Sequence, residues 1–327
     1  MGDQRSATIA WLEASFEGRA DLDAAADHLS PSVLEQVDAG KVAQQLTVIA
    51  SGRRVQEVAP GGVPASVCVT LTDDSDRDEP PLVVECMLDD SDRLMGINVV
   101  PPEQAHLHIR TELTASLSSA ARRQVHGLFD LAYDRANHAY LDSSLETLRW
   151  ITMASDGDNL VGFSLGEQRR VELPHLGSTQ ATLAGLACID PRVRRRGLFR
   201  RLSSLVLLAD GILDGTSGPI LGAGRMAHPA SYRLYRAHPT VVPKAGVTPN
   251  PFQQAVGAVV AEAYRVADFD PTTFVCRGHG SPIGYPNMHQ DVEESEWEVF
   301  AAVDRDRGDA LLGLIWQPTA PDGWLEP

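Results

Sequence analysis

The chain of 327 residues is long enough for two domains, and 43% apolar with 22% charged residues is globular composition, which argues against a disordered or fibrous protein. Lys and Arg total 28 against 44 Asp and Glu, and the resulting net charge of −16 argues against nucleic acid or an anionic membrane as partner. No stretch is long and apolar enough to span a bilayer, and the acidic N-terminus lacks a basic segment leading into an apolar one, so a cytoplasmic protein is expected.

In chain order, residues 1–103 read as a first unit. Residues 7–16 place Ile9, Leu12 and Phe16 at helical spacing, and further helices are expected at 21–29 and 31–37. Val-rich extended segments follow at 46–51, 53–58, 66–71, 81–88 and 94–100, separated by turn signals such as Pro60-Gly61-Gly62 and the acidic stretch 73–79. Helices followed by strands with short links predict an α+β unit with a curved antiparallel sheet, closed by Pro101-Pro102.

The second unit, residues 104–327, opens with a predicted strand at 107–110 and a helix at 118–133. Strands are expected at 148–154, 160–168 and 182–189, then a helix at 198–212 whose Leu202, Leu205, Ala209 and Ile212 repeat at helical spacing. A strand at 219–222, a short helix at 230–236, an amphipathic helix at 252–263, a strand at 273–276, a helix at 294–302 and a strand at 310–316 complete it. The four cysteines, Cys68, Cys86, Cys188 and Cys276, form no CxxC pair and no cluster with His, so no metal site is expected, and Cys68, Cys86 and Cys188, set in apolar strand-like runs, read as buried reduced thiols.

The informative stretch is 182–202. An apolar strand ends at Ile189, a loop holding Arg192, Arg194, Arg195, Arg196 and Gly197 follows, and an amphipathic helix opens with Leu198, Phe199, Arg200 and Arg201. A helix start offers unpaired N–H groups and the positive end of the macrodipole, glycine permits close backbone approach, and arginines add charge-assisted hydrogen bonds. This arrangement suits a phosphate or pyrophosphate, although six arginines within ten residues are equally what a solvated helix face carries.

Here the chain resembles the GNAT superfamily of acyl-CoA-dependent N-acyltransferases, whose signature Arg/Gln-x-x-Gly-x-Gly/Ala joins the fourth strand to the next helix. Arg194-Arg195-Arg196-Gly197-Leu198-Phe199 occupies that place, with Phe199 where the family has a small residue. The resemblance implies a mixed central sheet flanked by helices, with acetyl-CoA or another acyl-CoA as co-substrate. Its pyrophosphate would lie on the backbone of Arg194 to Phe199, and its pantetheine arm along Leu186, Ala187, Cys188 and Ile189. A second family pattern, Asn-x-x-Ala-x-x-Leu-Tyr-x-x-x-Gly, is matched from His228 through Leu234-Tyr235 to Pro239, with His228 for Asn and Pro239 for Gly. By resemblance Tyr235 would protonate the departing thiolate; the alternative is that it packs between helix and sheet.

The strand at 182–189 carries no carboxylate to serve as base, which leaves Glu172, Glu167, His228 and His175 as candidates. Gly222-Ala223-Gly224-Arg225 lacks the dinucleotide fingerprint and reads as a strand end, and the stretch 278–285 reads as a turn or an acceptor-site loop. The first unit resembles nuclear-transport-factor-2-like, or ketosteroid-isomerase-like, cones through residues 29–37, 46–58 and 82–100. It has no carboxylate/Tyr pair for isomerase chemistry, so an accessory role in substrate recognition or in forming a homodimer is expected. The implied activity is direct transfer of an acyl group, in a ternary complex, to a primary amine of a small molecule. Specialised metabolism or antibiotic resistance is the expected setting, and the acidic surface suits a cationic acceptor such as an aminoglycoside or a polyamine. Hydrolysis or decarboxylation of an acyl thioester, and a non-catalytic acyl-CoA-binding module, are the alternatives.

Overall fold

A computed structural model describes residues 2–35, 37–63, 65–73, 81–210, 219–286 and 292–326. The chain is mixed α and β, with two large sheets that each carry their own apolar core. The first half contributes α1 (Gly2–Phe16), α2 (Pro31–Leu34), α3 (Ala39–Ala50) and a meander of β1 (Arg53–Pro60), β2 (Ser66–Asp73), β3 (Leu82–Leu88) and β4 (Leu94–Val100). Strand alternation sends Val67, Val69, Leu71, Val84, Cys86 and Leu88 into a core shared with Trp11, Leu12 and Phe16 of α1 and Ala43, Leu46 and Ala50 of α3.

The segment 46–51, expected to be extended, is the last turn of α3. Its Thr47-Val48-Ile49 run has strand propensity, but the Asp38 cap on the Lys41 N–H and the burial of Ala43, Leu46 and Ala50 on one face override it. The helix expected at 21–29 shortens to a 3-10 turn over Ala25–His28. The acidic stretch 73–79 lies outside the described residues apart from Asp73, as do residues 211 and 212 of the expected helix end.

The second half contributes β5 (His108–Leu113), α4 (Ser119–Ala132), β6 (Tyr133–Asp134), α5 (His138–Thr147), β7 (Trp150–Asp156), β8 (Asn159–Leu173) and β9 (Gly177–Ile189). There follow α6 (Leu198–Leu207), β10 (Ile220–Met226), α7 (Pro229–Arg236), α8 (Pro251–Ala263), β11 (Phe269–Asp270), β12 (Val275–Cys276), β13 (Tyr285–Pro286) and β14 (Ala310–Gln317). Eight strands form one sheet in the order β11-β12-β14-β10-β9-β8-β7-β5, in which β9 and β10 are parallel and the other pairs antiparallel. A crossover through α6 makes that parallel pair possible. Helix α6 covers one face with Leu198, Leu202, Leu205 and Val206 buried, while α4, α5 and α8 cover the other.

Helix α5 was not expected, since Leu141 and Leu145 are its only buried side chains; Asn137 starts it by accepting from the Tyr140 N–H. The helix expected at 294–302 is a 3-10 segment, Glu294–Phe300. The hairpin of β8 and β9 is longer than its apolar runs suggested because Val171 and Leu173 alternate inward beyond Gln168. All four cysteines are free, and no helix is long and apolar enough to cross a membrane.

Candidate functional site

The parallel pair diverges. Residues pair from Leu221↔Ala181 to Gly224↔Ala184 and then stop, although β9 continues to Ile189 and β10 to Met226. On its other side β9 carries an extra residue: Ser164 lies opposite Ala187 and Gly166 opposite Ala184, so Gly185 and Leu186 bulge where the strands part. The Tyr264 hydroxyl, just past α8, sits in the fork at 2.7 Å from the Ala184 carbonyl and 3.1 Å from the Ala223 carbonyl. It thereby tethers both strands at the point of separation. Beyond the fork lies a slot whose β9 wall is not paired to β10.

At the far end of that slot the chain turns from β9 into α6. Asp190 accepts from the Arg192 N–H and holds its guanidinium at 2.6 Å. Arg194 donates to the carbonyls of Ile189 and Ala132, stapling the turn to β9 and α4. Arg195 and Gly197 have φ of 67° and 79°, and Gly197 caps α6 with no side-chain hydrogen bond. In a left-handed cap a Cβ would be strained, so glycine is required by the backbone. The N–H groups of Leu198, Phe199 and Arg200 precede the first intrahelical bond, which Arg201 makes to the Gly197 carbonyl. A cleft of about 310 Å³ opens over this turn, lined by Ala187, Ile189, Arg194, Arg195, Gly197, Leu198, Phe199 and Arg200. Of the other residues expected there, Arg196 is exposed and its carbonyl accepts from the Gln104 side chain. Cys188 faces the core, its thiol 3.4 Å from the Leu128 carbonyl and its pKa raised by burial. Leu186 lines the slot at the fork.

A second cleft of about 390 Å³ continues from the turn through the fork and shares Tyr133, Ala187, Phe199, Arg200, Ser231 and Pro286 with the first. Tyr235 of α7 stands at its apex. In-register pairing aligns Gly166, Ala184, Gly224 and Gly313 across four strands on the face that carries α6. Tyr235 lies on that row: a Cβ on Gly224 would come within 2.3 Å of its hydroxyl oxygen. Glycine at 224 therefore creates the space for the phenol. The hydroxyl makes no protein hydrogen bond among the described residues, and burial raises its pKa, so it is a protonated donor facing the cleft. His228 lines the same cleft, but its Nδ1 accepts from the Ala230 N–H as the cap of α7. Its pKa is lowered by burial and then by Arg305 and Arg233, which leaves a neutral ring.

A third cleft of about 370 Å³ approaches the fork from the opposite face, and shares Tyr140, Ala184, Gly185, Leu186, Arg225 and Ile283 with the second. No carboxylate lines any of the three clefts among the described residues, in a chain of net charge −16. The cationic acceptor expected from the overall charge therefore has no anionic side chain to meet there. Glu172 is exposed near the hairpin turn, paired across to Ser178, and lines none of these clefts. His175 is exposed in that turn against Phe252. Glu167 is buried, accepts from the Arg149 N–H and pairs with Arg169; burial raises its pKa. Sequence reasoning missed Tyr133, whose hydroxyl donates to the Ala187 carbonyl at 2.8 Å, as well as Tyr264 and Arg225. Arg225 had a signal: a charge inside the apolar strand Ile220–Met226.

No family model matches the chain, and no curated protein matches it. Among solved structures it is similar to the ribosomal-protein-S18-alanine N-acetyltransferase from Escherichia coli, at 11% identity and a TM-score of 0.32, over 66% of this chain and 98% of that one. It is also similar to an aminoglycoside N-acetyltransferase in complex with CoA, at 17% identity and a TM-score of 0.31, over 40% of this chain and 86% of that one. A GNAT family N-acetyltransferase from Escherichia coli in complex with CoA is a third, at 15% identity and a TM-score of 0.26, over 40% and 68% of the two chains. Likenesses of this size leave function to be argued from the chain's own geometry.

Proposed function

We propose that this protein is an acyl-CoA-dependent N-acyltransferase of the GNAT type, moving an acyl group, most simply acetyl, directly to a primary amine of a small molecule. The observation that carries the reading is the fork between β9 and β10, with an uncapped helix start at one end and the Tyr235 phenol at the apex. The turn from Arg194 to Phe199 would take the pyrophosphate on backbone N–H groups, and the open edge of 185–189 would take the pantetheine arm. Tyr133 already occupies the Ala187 carbonyl, so the arm would pair with the remaining groups. The thioester would then lie near the fork, with the amine arriving through the third cleft.

In the reaction the amine nitrogen attacks the thioester carbon, the C–S bond breaks, and the thiolate takes the Tyr235 proton. The new amide nitrogen gives up its proton, which restores the phenol through solvent. No carboxylate among the described residues is available as base, so the amine enters neutral; Glu172 has no step in this scheme, and His228 acts as a helix cap that shapes the cleft. The absence of a carboxylate equally supports a second reading, a non-catalytic acyl-CoA-binding module.

The N-terminal unit takes an accessory role. Its four-stranded antiparallel sheet shares a core with α1 and α3, an arrangement compatible with that role.

Calorimetric titration with acetyl-CoA, CoA and pantetheine tests the donor site: binding should require the pyrophosphate portion and be lost in Gly197→Glu. Tyr235→Phe should then lower turnover at least tenfold with unchanged CoA affinity. Silence toward acetyl-CoA and longer acyl-CoAs at millimolar concentration would sink the proposal.

A further inference from the structure

Arg225 is the residue that the donor site leaves unexplained. It follows Gly224 on β10 and is the first residue past the last β9–β10 pair, so it flanks the fork. Gly224 faces Tyr235, and strand alternation points Arg225 to the opposite face. There its guanidinium lies 5.6 Å from the Tyr140 ring centroid and 5.9 Å from that of Tyr264. Among the described residues it has no ion pair and no hydrogen bond, and its Nε is buried without a partner. Arg225 lines both the third cleft and the central cleft, so its donors face the junction of the two.

Arg225 is half-buried, and a guanidinium whose Nε is shut from water with no carboxylate beside it is costly. Two aromatic faces offset part of that cost by cation–π attraction, but they satisfy none of the five N–H donors. The rest of the third cleft has the same sign: Arg265 lines it with no ion pair among the described residues, and Arg277 lines it while bound to Asp270 at 3.1 Å. Among the described residues no acidic side chain lines the mouth to hold an incoming ammonium group.

We infer that the third cleft takes an acceptor bearing a carboxylate beside its amine, an amino acid or a close analogue, with Arg225 binding the carboxylate and so setting the amine at the fork. This inference rests on the acyltransferase reading and names its acceptor class. A guanidinium matches a carboxylate through two parallel N–H···O bonds, which fix orientation as well as position. With its carboxylate on Arg225 on one face of β10, the amine is brought toward a thioester whose sulfur is served by Tyr235 from the other. Arg225 is thus a specificity-determining residue on the face opposite the acid.

The test uses the full chain with acetyl-CoA and matched pairs of acceptors, the common α-amino acids and their carboxamides, read by thiol release. Alongside, the CoA-bound protein is titrated calorimetrically with the corresponding N-acetyl amino acids and N-acetyl amino acid amides. Turnover or binding of the acids with at least a tenfold preference over the amides, lost in Arg225→Gln while acetyl-CoA affinity is kept, is the expected result. Equal use of acids and amides, or acetyl-CoA binding with neither series turned over nor bound, overturns the inference and leaves the donor site standing. Failure to bind acetyl-CoA at all overturns the acyltransferase reading itself, and this inference with it. Arg225→Lys adds a control: a point charge that cannot form the fork should recover only part of the preference.

Discussion

Helix α6, whose start forms the proposed pyrophosphate turn, is held from behind by a buried ion pair to the N-terminal sheet. Arg201 Nε lies 3.4 Å from Glu85 Oε2, with side chains 7% and 2% exposed. The pair is poorly satisfied: Glu85 Oε1 and Arg201 Nη1 are both buried without partners. Removing one member of such a pair strands the other charge, which costs about 3–5 kcal/mol, whereas replacing both with apolar residues is close to neutral or stabilising by about 1–4 kcal/mol. Glu85→Leu and Arg201→Met should therefore each destabilise by about 3–5 kcal/mol, and the double variant should recover most of that loss. At roughly 2–4 °C per kcal/mol for a domain of this size, each single variant should melt about 6–20 °C lower. Urea unfolding followed by tryptophan fluorescence and thermal unfolding followed by calorimetry would give the double-mutant cycle, with a coupling of several kcal/mol. Arg201 closes the first turn of α6 on the Gly197 carbonyl, so a helix start loosened by loss of the ion pair should also bind acetyl-CoA more weakly in the single variants. Single variants that cost under about 1 kcal/mol, or a double variant as unstable as the sum, would refute the claim that a dry ion pair braces this helix.

Three further outcomes follow from the same geometry. Gly197→Ala places a Cβ where φ is 79°; the nearest atom, Gln104 Nε2, is at an ordinary 3.5 Å, so the loss should be the backbone strain of about 1–2 kcal/mol, read as a lower Tm with weaker acetyl-CoA binding. Glu296 is held down to about 2, chiefly by its hydrogen bonds with Arg233, so its contribution is present above the ordinary carboxylate range and is lost as pH falls toward 2. Glu296→Gln should accordingly lower Tm at pH 7 and flatten its fall between about pH 4.5 and 2, seen by calorimetry across pH. Arg225→Met should raise Tm because it removes a half-buried charge that no carboxylate among the described residues compensates; a lower Tm would mean that the two tyrosine rings hold the charge at no net cost.

What was legible in the sequence was local. The turn from Ile189 to Leu198 could be placed because an apolar strand, a glycine and an amphipathic helix follow one another, whereas Tyr235 was singled out through the resemblance of the stretch from His228 to Pro239 to a family pattern. What was illegible depends on long-range pairing. Tyr264 and Ala184 are 80 residues apart, and Tyr133 and Ala187 are 54 apart, so no spacing rule could join them. The arginine cluster shows the same limit in charge. Six arginines read as one basic patch, yet Asp190 holds Arg192, backbone carbonyls hold Arg194, and Glu85 holds Arg201. At least three of the six are structural, and the proposed anion site would be made as much by the backbone of Gly197 and Phe199 as by side chains.

Net charge and the cleft lining point to different acceptors for a related reason. A total of −16 describes the surface seen from a distance, and at physiological salt that field decays over about 8 Å. Inside a cleft the deciding charges are those of its own walls, where water is scarce and each group acts at full strength. The walls here hold Arg225, Arg265 and Arg277 with no carboxylate among the described residues. Acidic residues on the outer surface repel other polyanions, whereas a ligand inside a cleft meets the lining. A cationic acceptor would gain from the outer field and then lose at the fork, where it would meet an unpaired guanidinium. An acceptor with a carboxylate meets a screened field outside and a matching partner within, and only the second interaction operates at the reacting atoms.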